Sequence, residues 1–89
     1  APFDDEADVV AKANLTETGL VAYLHTQDNA RIARLCDHLE FGMVAVNRTK
    51  ITGAPVPFGG VKQAGLGREG SRHGLEAYTD IKYVCRDTA

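Results

Sequence analysis

Leu20-Val21-Ala22-Tyr23-Leu24 and Met43-Val44-Ala45-Val46-Asn47, with the stretch from Asp28 to Leu39 between them, decide how this chain folds. The two short apolar runs suit strands covered on both faces, as in a parallel sheet. Between them Ile32, Leu35, Cys36 and Leu39 fall at i, i+3, i+4 and i+7, an apolar stripe of helical period. Asp28 is placed to cap this helix and Gly42 to serve as its C′ residue. Arg31, Arg34, Asp37 and Glu40 read as its solvated face. Strand, helix and strand with short connections form a β-α-β unit, right-handed and with parallel strands. The fold class is α/β.

Working outward, Asp4 or Asp5 is a good N-cap for an earlier helix, with Glu6 and Asp8 in its first turn, where the helix dipole favours acids. Ala7, Val10 and Ala11 recur at helical spacing, Phe3 is placed to staple the start, and the helix should end near Asn14. In the other direction, seven of the nine glycines lie between Gly53 and Gly74, around Pro57-Phe58-Gly59-Gly60-Val61-Lys62. Glycine crowding after an apolar strand implies a tightly shaped loop. That loop leaves the carboxyl end of a parallel strand, where open α/β sheets meet their ligands. Ser71 to Thr79, with Leu75 and Tyr78 at i and i+3, predicts a short helix. Asp80 to Cys85 alternates, with Ile81, Tyr83 and Cys85 on one side and Asp80, Lys82 and Val84 on the other. A terminal strand of that kind has open edges and must pair with something.

Bulk properties narrow the class. At 89 residues the chain is at most one small domain with a modest core. A net charge of −2 with mixed signs argues against nucleic acid or an anionic membrane as main partner, since both reward a basic face. No apolar run approaches the ~20 residues of a membrane helix, and no basic-then-apolar leader opens the chain. Cys36 and Cys85 form no disulfide framework, so the expected setting is reduced and cytoplasmic. His25, His38 and His73 are scattered, and no metal site is expected. The opening Ala1-Pro2-Phe3-Asp4 fits a piece of a longer chain, and equally a mature protein that has shed its Met.

Gly65-Leu66-Gly67-Arg68-Glu69-Gly70 matches G-x-G-x-x-G literally. A dinucleotide site needs that motif straight after a buried strand and at the start of a helix inside a β-α-β unit. Here it follows Lys62-Gln63-Ala64 and reads as coincidence. Cys36 sits in an apolar stripe and Cys85 near a strand end, neither with an adjacent base, so both read as non-catalytic. His73 reads as an exposed loop-to-helix histidine. No complete catalytic apparatus can be placed.

Gly42-Met43-Val44-Ala45-Val46-Asn47, then Pro57 through Gly70, then Gly74-Leu75-Glu76-Ala77-Tyr78-Thr79 and Ile81-Lys82-Tyr83-Val84, resemble the C-terminal part of NAD(P)-dependent aldehyde dehydrogenases. Ala11-Lys12-Ala13-Asn14 and Thr18 through Tyr23 resemble the same family upstream. Within it, Gly-Leu-Gly-Arg-Glu-Gly and Ile-Lys-Tyr-Val-Cys are most similar to succinate-semialdehyde dehydrogenases.

The resemblance implies that residues 1–78 belong to a catalytic α/β domain and 79–89 to an oligomerisation strand and tail. It implies that the catalytic cysteine, the glutamate base and the site for NAD or NADP precede this segment, which alone would bind no cofactor and oxidise no aldehyde. Phe58 matches an aromatic of the substrate tunnel. Thr52 matches a position whose hydroxyl meets the distal carboxylate of a semialdehyde, and Lys50 could add a charge there. Glu69 matches a glutamate tied in some members to a proton-relay route, with a buried ion pair as its alternative role. Arg68 and Asp80 match a charged pair near the subunit interface, and Asp80 to Cys85, with Ile81 and Tyr83, matches the strand that pairs across a homodimer or homotetramer. The implied partners are the rest of the parent chain, a second subunit and a small aldehyde, with no nucleic acid and no membrane. A free-standing α/β assembly module is the alternative. The isolated segment is expected to self-associate or to be marginally stable.

Overall fold

The structure, a computed structural model, describes residues 2–88; Ala1 and Ala89, the outer ends of the two units expected above, lie outside them. In chain order come α1 (Glu6–Asn14), β1 (Thr18–Gly19), β2 (Val21–Leu24), α2 (Asn29–His38), β3 (Met43–Val46), β4 (Val61–Lys62) and a 3-10 helix (Arg72–Tyr78). β2 and β3 are parallel, in register from Val21 opposite Met43 to Leu24 opposite Val46. The β-α-β unit expected from the two apolar runs is therefore present. Its helix starts where Asp28 accepts a hydrogen bond from the Arg31 amide, and α1 starts where Asp5 accepts one from the Ala7 amide. Each cap satisfies an amide that a helix start leaves without an intrahelical partner.

β1 pairs antiparallel with β4, Thr18 opposite Lys62 and Gly19 opposite Val61. This pairing had no signal in the sequence, because two residues carry no readable alternation. It brings the glycine-rich loop back onto the start of the parallel pair.

The buried hydrophobic residues among those described are Leu35 on α2 and Ala45 on β3. Around them Val9, Val10, Ala13, Ile32 and Leu39 are half-buried. The α1 contact face is thus Val9, Val10 and Ala13, one position round from the expected Ala7, Val10 and Ala11, and Ala7 and Ala11 are exposed. Cys36 is also exposed. The α2 stripe narrows to Ile32, Leu35 and Leu39, since Cys36 turns past the edge of the contact. Arg31 and Arg34 are not merely solvated: both guanidinium groups reach Glu6 of α1, at 3.1 and 3.2 Å. Gly42 is not a helix C′ residue. α2 ends at His38, capped by Leu39, and Gly42 already extends the β2–β3 ladder, its amide donating to the Gly19 carbonyl at 2.9 Å.

Two expectations for the C-terminal third are corrected. Ser71 to Thr79 forms 3-10 turns rather than an α-helix, entered through Ser71 at φ 55°. Asp80 to Cys85 forms no strand among the described residues. The segment runs exposed, with Ile81 at 103% and Tyr83 at 86% relative exposure, because no sheet edge of this chain meets it and a strand exists only by pairing. The radius of gyration is 17.8 Å, against about 12 Å for a compact domain of this length.

Glu6 carries a pH dependence. The hydrogen bond from Arg34, followed by the Arg34 charge and the contacts of Arg31, holds its carboxyl below the ordinary 4.5. The folded chain thus keeps Glu6 ionised where the unfolded chain would protonate it. Its contribution is complete above the ordinary value and is lost as pH falls through the lowered one. Urea unfolding followed by circular dichroism should therefore show stability falling on acidification below about pH 4.5. Glu6→Gln should flatten that part of the profile.

Candidate functional site

β3 ends at Asn47, which adopts φ 54°, a left-handed conformation that asparagine tolerates better than most residues. Its side-chain oxygen accepts from the Thr26 amide at 2.9 Å, and its side-chain amide donates to the Thr26 carbonyl at 2.8 Å. The paired latch joins the carboxyl ends of β2 and β3 and sets the direction of the loop that follows. Ser71 donates its amide to the Ala54 carbonyl at 2.9 Å, and Phe58 and Glu69 exchange two backbone hydrogen bonds of 2.9 and 2.7 Å. The loop is thereby folded back on itself.

A close backbone crossing sits at its base. A Cβ at Gly42 would fall on the Gly59 carbonyl oxygen and 2.5 Å from Gly60 Cα. Gly60 in turn lies against the Gly19 carbonyl and Leu20 Cα, at 2.9 and 3.1 Å from where its own Cβ would stand. Arg68 threads underneath, donating from Nη1 to the carbonyls of Gly60 at 2.7 Å and Gly67 at 3.0 Å.

Thr52, Phe58 and Glu69 are brought together. They line one open hollow of about 280 Å³ with Gly53, Val56 and Gly70. Phe58 is half-buried and Thr52 and Glu69 are exposed, so the hollow offers an apolar wall, a hydroxyl and a carboxylate. Thr52 also faces a neighbouring hollow lined by Arg48, Lys50 and Ile51 with no acid among its lining residues.

Other expected site residues stay apart. Arg68 is not paired with Asp80: its guanidinium is taken by the two carbonyls, while Asp80 is exposed on the C-terminal segment with Ile81 and Tyr83. Cys36 and Cys85 are free and exposed. No group of three potential metal ligands occurs among the described residues. His73 is half-buried rather than exposed, its Nδ1 3.0 Å from Glu76. Gly65 to Gly70 follows β4 through a turn and leads into the 3-10 helix, so it does not present the strand-to-α-helix cradle a pyrophosphate requires. Sequence reading missed Lys62, which sits in the left-handed region at φ 57°, a conformation with no signature in a lysine.

The arrangement is a shaped wall with a hydroxyl, an aromatic ring and a carboxylate, set at the carboxyl end of a parallel β-α-β unit. The aldehyde dehydrogenase family model matches residues 1–84, and the chain belongs to that family. It is 54% identical over 83 residues to 3-sulfolactaldehyde dehydrogenase of Pseudomonas putida, covering 93% of this chain and 17% of that protein. It is 52% identical to the succinate-semialdehyde dehydrogenase [NADP(+)] of Escherichia coli, over the same shares of the two chains. Among solved structures, succinate-semialdehyde dehydrogenase from Burkholderia pseudomallei superposes with a TM-score of 0.88 at 50% identity, covering 94% of this chain and 17% of that one. An NAD+ complex of an aldehyde dehydrogenase from Bacillus cereus gives 0.87 at 36% identity, over 92% and 17%. The chain thus spans about a sixth of the length of these relatives, and its fold is that of aldehyde dehydrogenases.

The crossing at Gly42 supports a direct test. Gly42→Ala should cost about 3–5 kcal/mol, because two backbones must separate. Gly53→Ala should stay within about 1 kcal/mol, since nothing but Pro55 and Val56 side chains lies within 4 Å, at 3.7 Å or more. Urea midpoints of the two variants measure the contrast.

Proposed function

We propose that these residues are the C-terminal part of an enzyme that oxidises a semialdehyde, succinate semialdehyde foremost, to the carboxylic acid with NAD or NADP. The observation that carries the reading is the convergence of Thr52, Phe58 and Glu69 on one hollow, together with family membership. Phe58 supplies an apolar wall that keeps bulk water from the reacting carbon. Thr52 donates its hydroxyl to the distal carboxylate of the substrate, and Lys50 adds a positive charge on the approach. Glu69 passes a proton between the site and solvent. The described residues offer no thiol at the hollow and no fit for a dinucleotide. On this reading thiolate attack, the base and the cofactor belong to the remainder of the enzyme, and the 89 residues alone are inactive.

The same reading divides the chain at residues 78 and 79. Residues 79–89 pair as a strand across a homodimer or homotetramer, with Arg68, Asp80, Ile81 and Tyr83 at the seam, in a cytoplasmic enzyme. The exposure of Ile81, Tyr83 and Val84, each above 70%, supports it, since a segment of alternating sequence with both faces bare is a candidate for pairing. That exposure also supports a second reading, a non-catalytic module that assembles through its last segment.

Kinetics separate the readings. The isolated chain with NAD or NADP and succinate semialdehyde should give no turnover. In the whole enzyme, Thr52→Ala should raise KM for succinate semialdehyde about tenfold, the loss of one hydrogen bond to a charged group, and should affect an uncharged short aldehyde much less. Equal effects on both aldehydes would remove Thr52 from carboxylate recognition. The isolated chain should also unfold over a broad range that shifts with protein concentration; a sharp, concentration-independent transition would speak against lost neighbours.

A further inference from the structure

Lys62 occupies a position that none of the functional assignments uses. Its backbone is left-handed at φ 57°, a conformation that costs a residue with a Cβ and would cost glycine nothing. Its side chain nonetheless reaches across the molecule. Nζ donates to the Asn14 carbonyl at 2.8 Å and to the Thr16 carbonyl at 3.5 Å, and sits 2.7 Å from a carboxylate oxygen of Glu40. Asn14 holds the same junction from the other side: its side-chain amide donates to the His38 carbonyl at 2.8 Å, and its side-chain oxygen accepts from the Glu40 amide at 2.9 Å. The lysine head thus gathers the end of α1 and the exit of α2 and ties both to the glycine-rich loop.

We propose that Lys62 is a positioning residue: its ammonium clamps the loop onto the β-α-β unit and so fixes where Phe58 stands. The route from Lys62 to Phe58 is short and stiff. Val61 and Lys62 form β4 against β1, Gly60 lies on the backbone of Gly19 and Leu20, and Phe58 is pinned to Glu69 by two backbone bonds. A displacement at Lys62 has little slack in which to be absorbed before it reaches the ring. At 27% side-chain exposure the ammonium is partly withdrawn from water, where its interactions count for more than at an open surface. The functional half of this inference rests on the assignment of Phe58 to the substrate wall.

The test uses the whole enzyme with Lys62→Met, Lys62→Gly and Lys62→Arg. Aldehyde KM, cofactor Kd and amide hydrogen exchange over Phe58–Gly65 are the readouts. Met keeps the stem and the left-handed backbone but loses the charge; Gly removes the backbone cost as well. Both should raise aldehyde KM about tenfold, the usual order for a lost charged hydrogen bond, with cofactor Kd unchanged and exchange accelerated. Arg should restore most of the effect. Wild-type KM in Lys62→Gly or in Lys62→Met would overturn the proposal, because the ammonium would then be dispensable. Should either variant fail to fold, Glu40→Gln removes one partner at an exposed position; a KM rise in the same direction supports the clamp, and an unchanged KM and exchange rate overturn it. If Phe58→Ala leaves aldehyde KM unmoved, the assignment of Phe58 fails instead. The clamp is then judged on exchange alone: protection lost in Lys62→Met upholds it, and protection kept overturns it.

Discussion

The structure depends on one close crossing of backbones, where Gly42 passes under Gly59 and Gly60 without room for a side chain. That contact lets β4 return to β1 and continues the pairing of β2 and β3 through the Gly42 amide. With only Leu35 and Ala45 buried among the described hydrophobic residues, side-chain packing alone cannot hold so long a loop in one shape. Backbone contact and hydrogen bonding do much of that work. A void or overlap between two main chains has no rotamer through which to relax, so the constraint is stiff.

Charged groups reinforce the same junctions. Glu6 receives Arg31 and Arg34 and couples α1 to α2. Arg68 satisfies two loop carbonyls from below. Each interaction is at least partly exposed and therefore modest by itself, but they act between segments far apart in sequence. The buried side-chain polar atoms among the described residues all have partners, which agrees with a loop whose shape is specified rather than averaged.

The sequence exposed the parts whose signal spans several residues. α2 carries an apolar stripe of helical period, β2 and β3 are unbroken apolar runs, and the caps at Asp5 and Asp28 lie where a short polar side chain precedes an apolar stripe. Gly42 is misleading in the sequence because a glycine shortly after a helix is a stop signal by default, whereas its role here is set by Gly59, a residue no local window includes. Cys36 sits at the margin of a stripe, where a rotation of the helix decides burial. β1 and β4 are too short for any pattern, and the left-handed turn at Lys62 is invisible in a residue type that ordinarily avoids it. Thr52, Phe58 and Glu69 are reachable through likeness to a family, not through physics alone, because hydroxyl, ring and carboxylate are scattered over eighteen positions and converge only after the loop closes.

A segment with so little core can still form a precise wall, and the reason is a division of labour. Burial scales with chain length, so a short piece is poorly supplied with hydrophobic stabilisation. Precision of a site depends instead on how few ways the backbone can move. Here the latch at Asn47, the glycine crossing and the Phe58–Glu69 pair remove those ways locally. Among the apolar groups left open, Leu66, Leu75, Tyr78, Ile81, Tyr83 and Val84 lie along the 3-10 helix and its flanks. Locally fixed shape joined to unfinished burial fits the proposed reading, in which the remainder of the enzyme supplies the surfaces that complete the stabilisation.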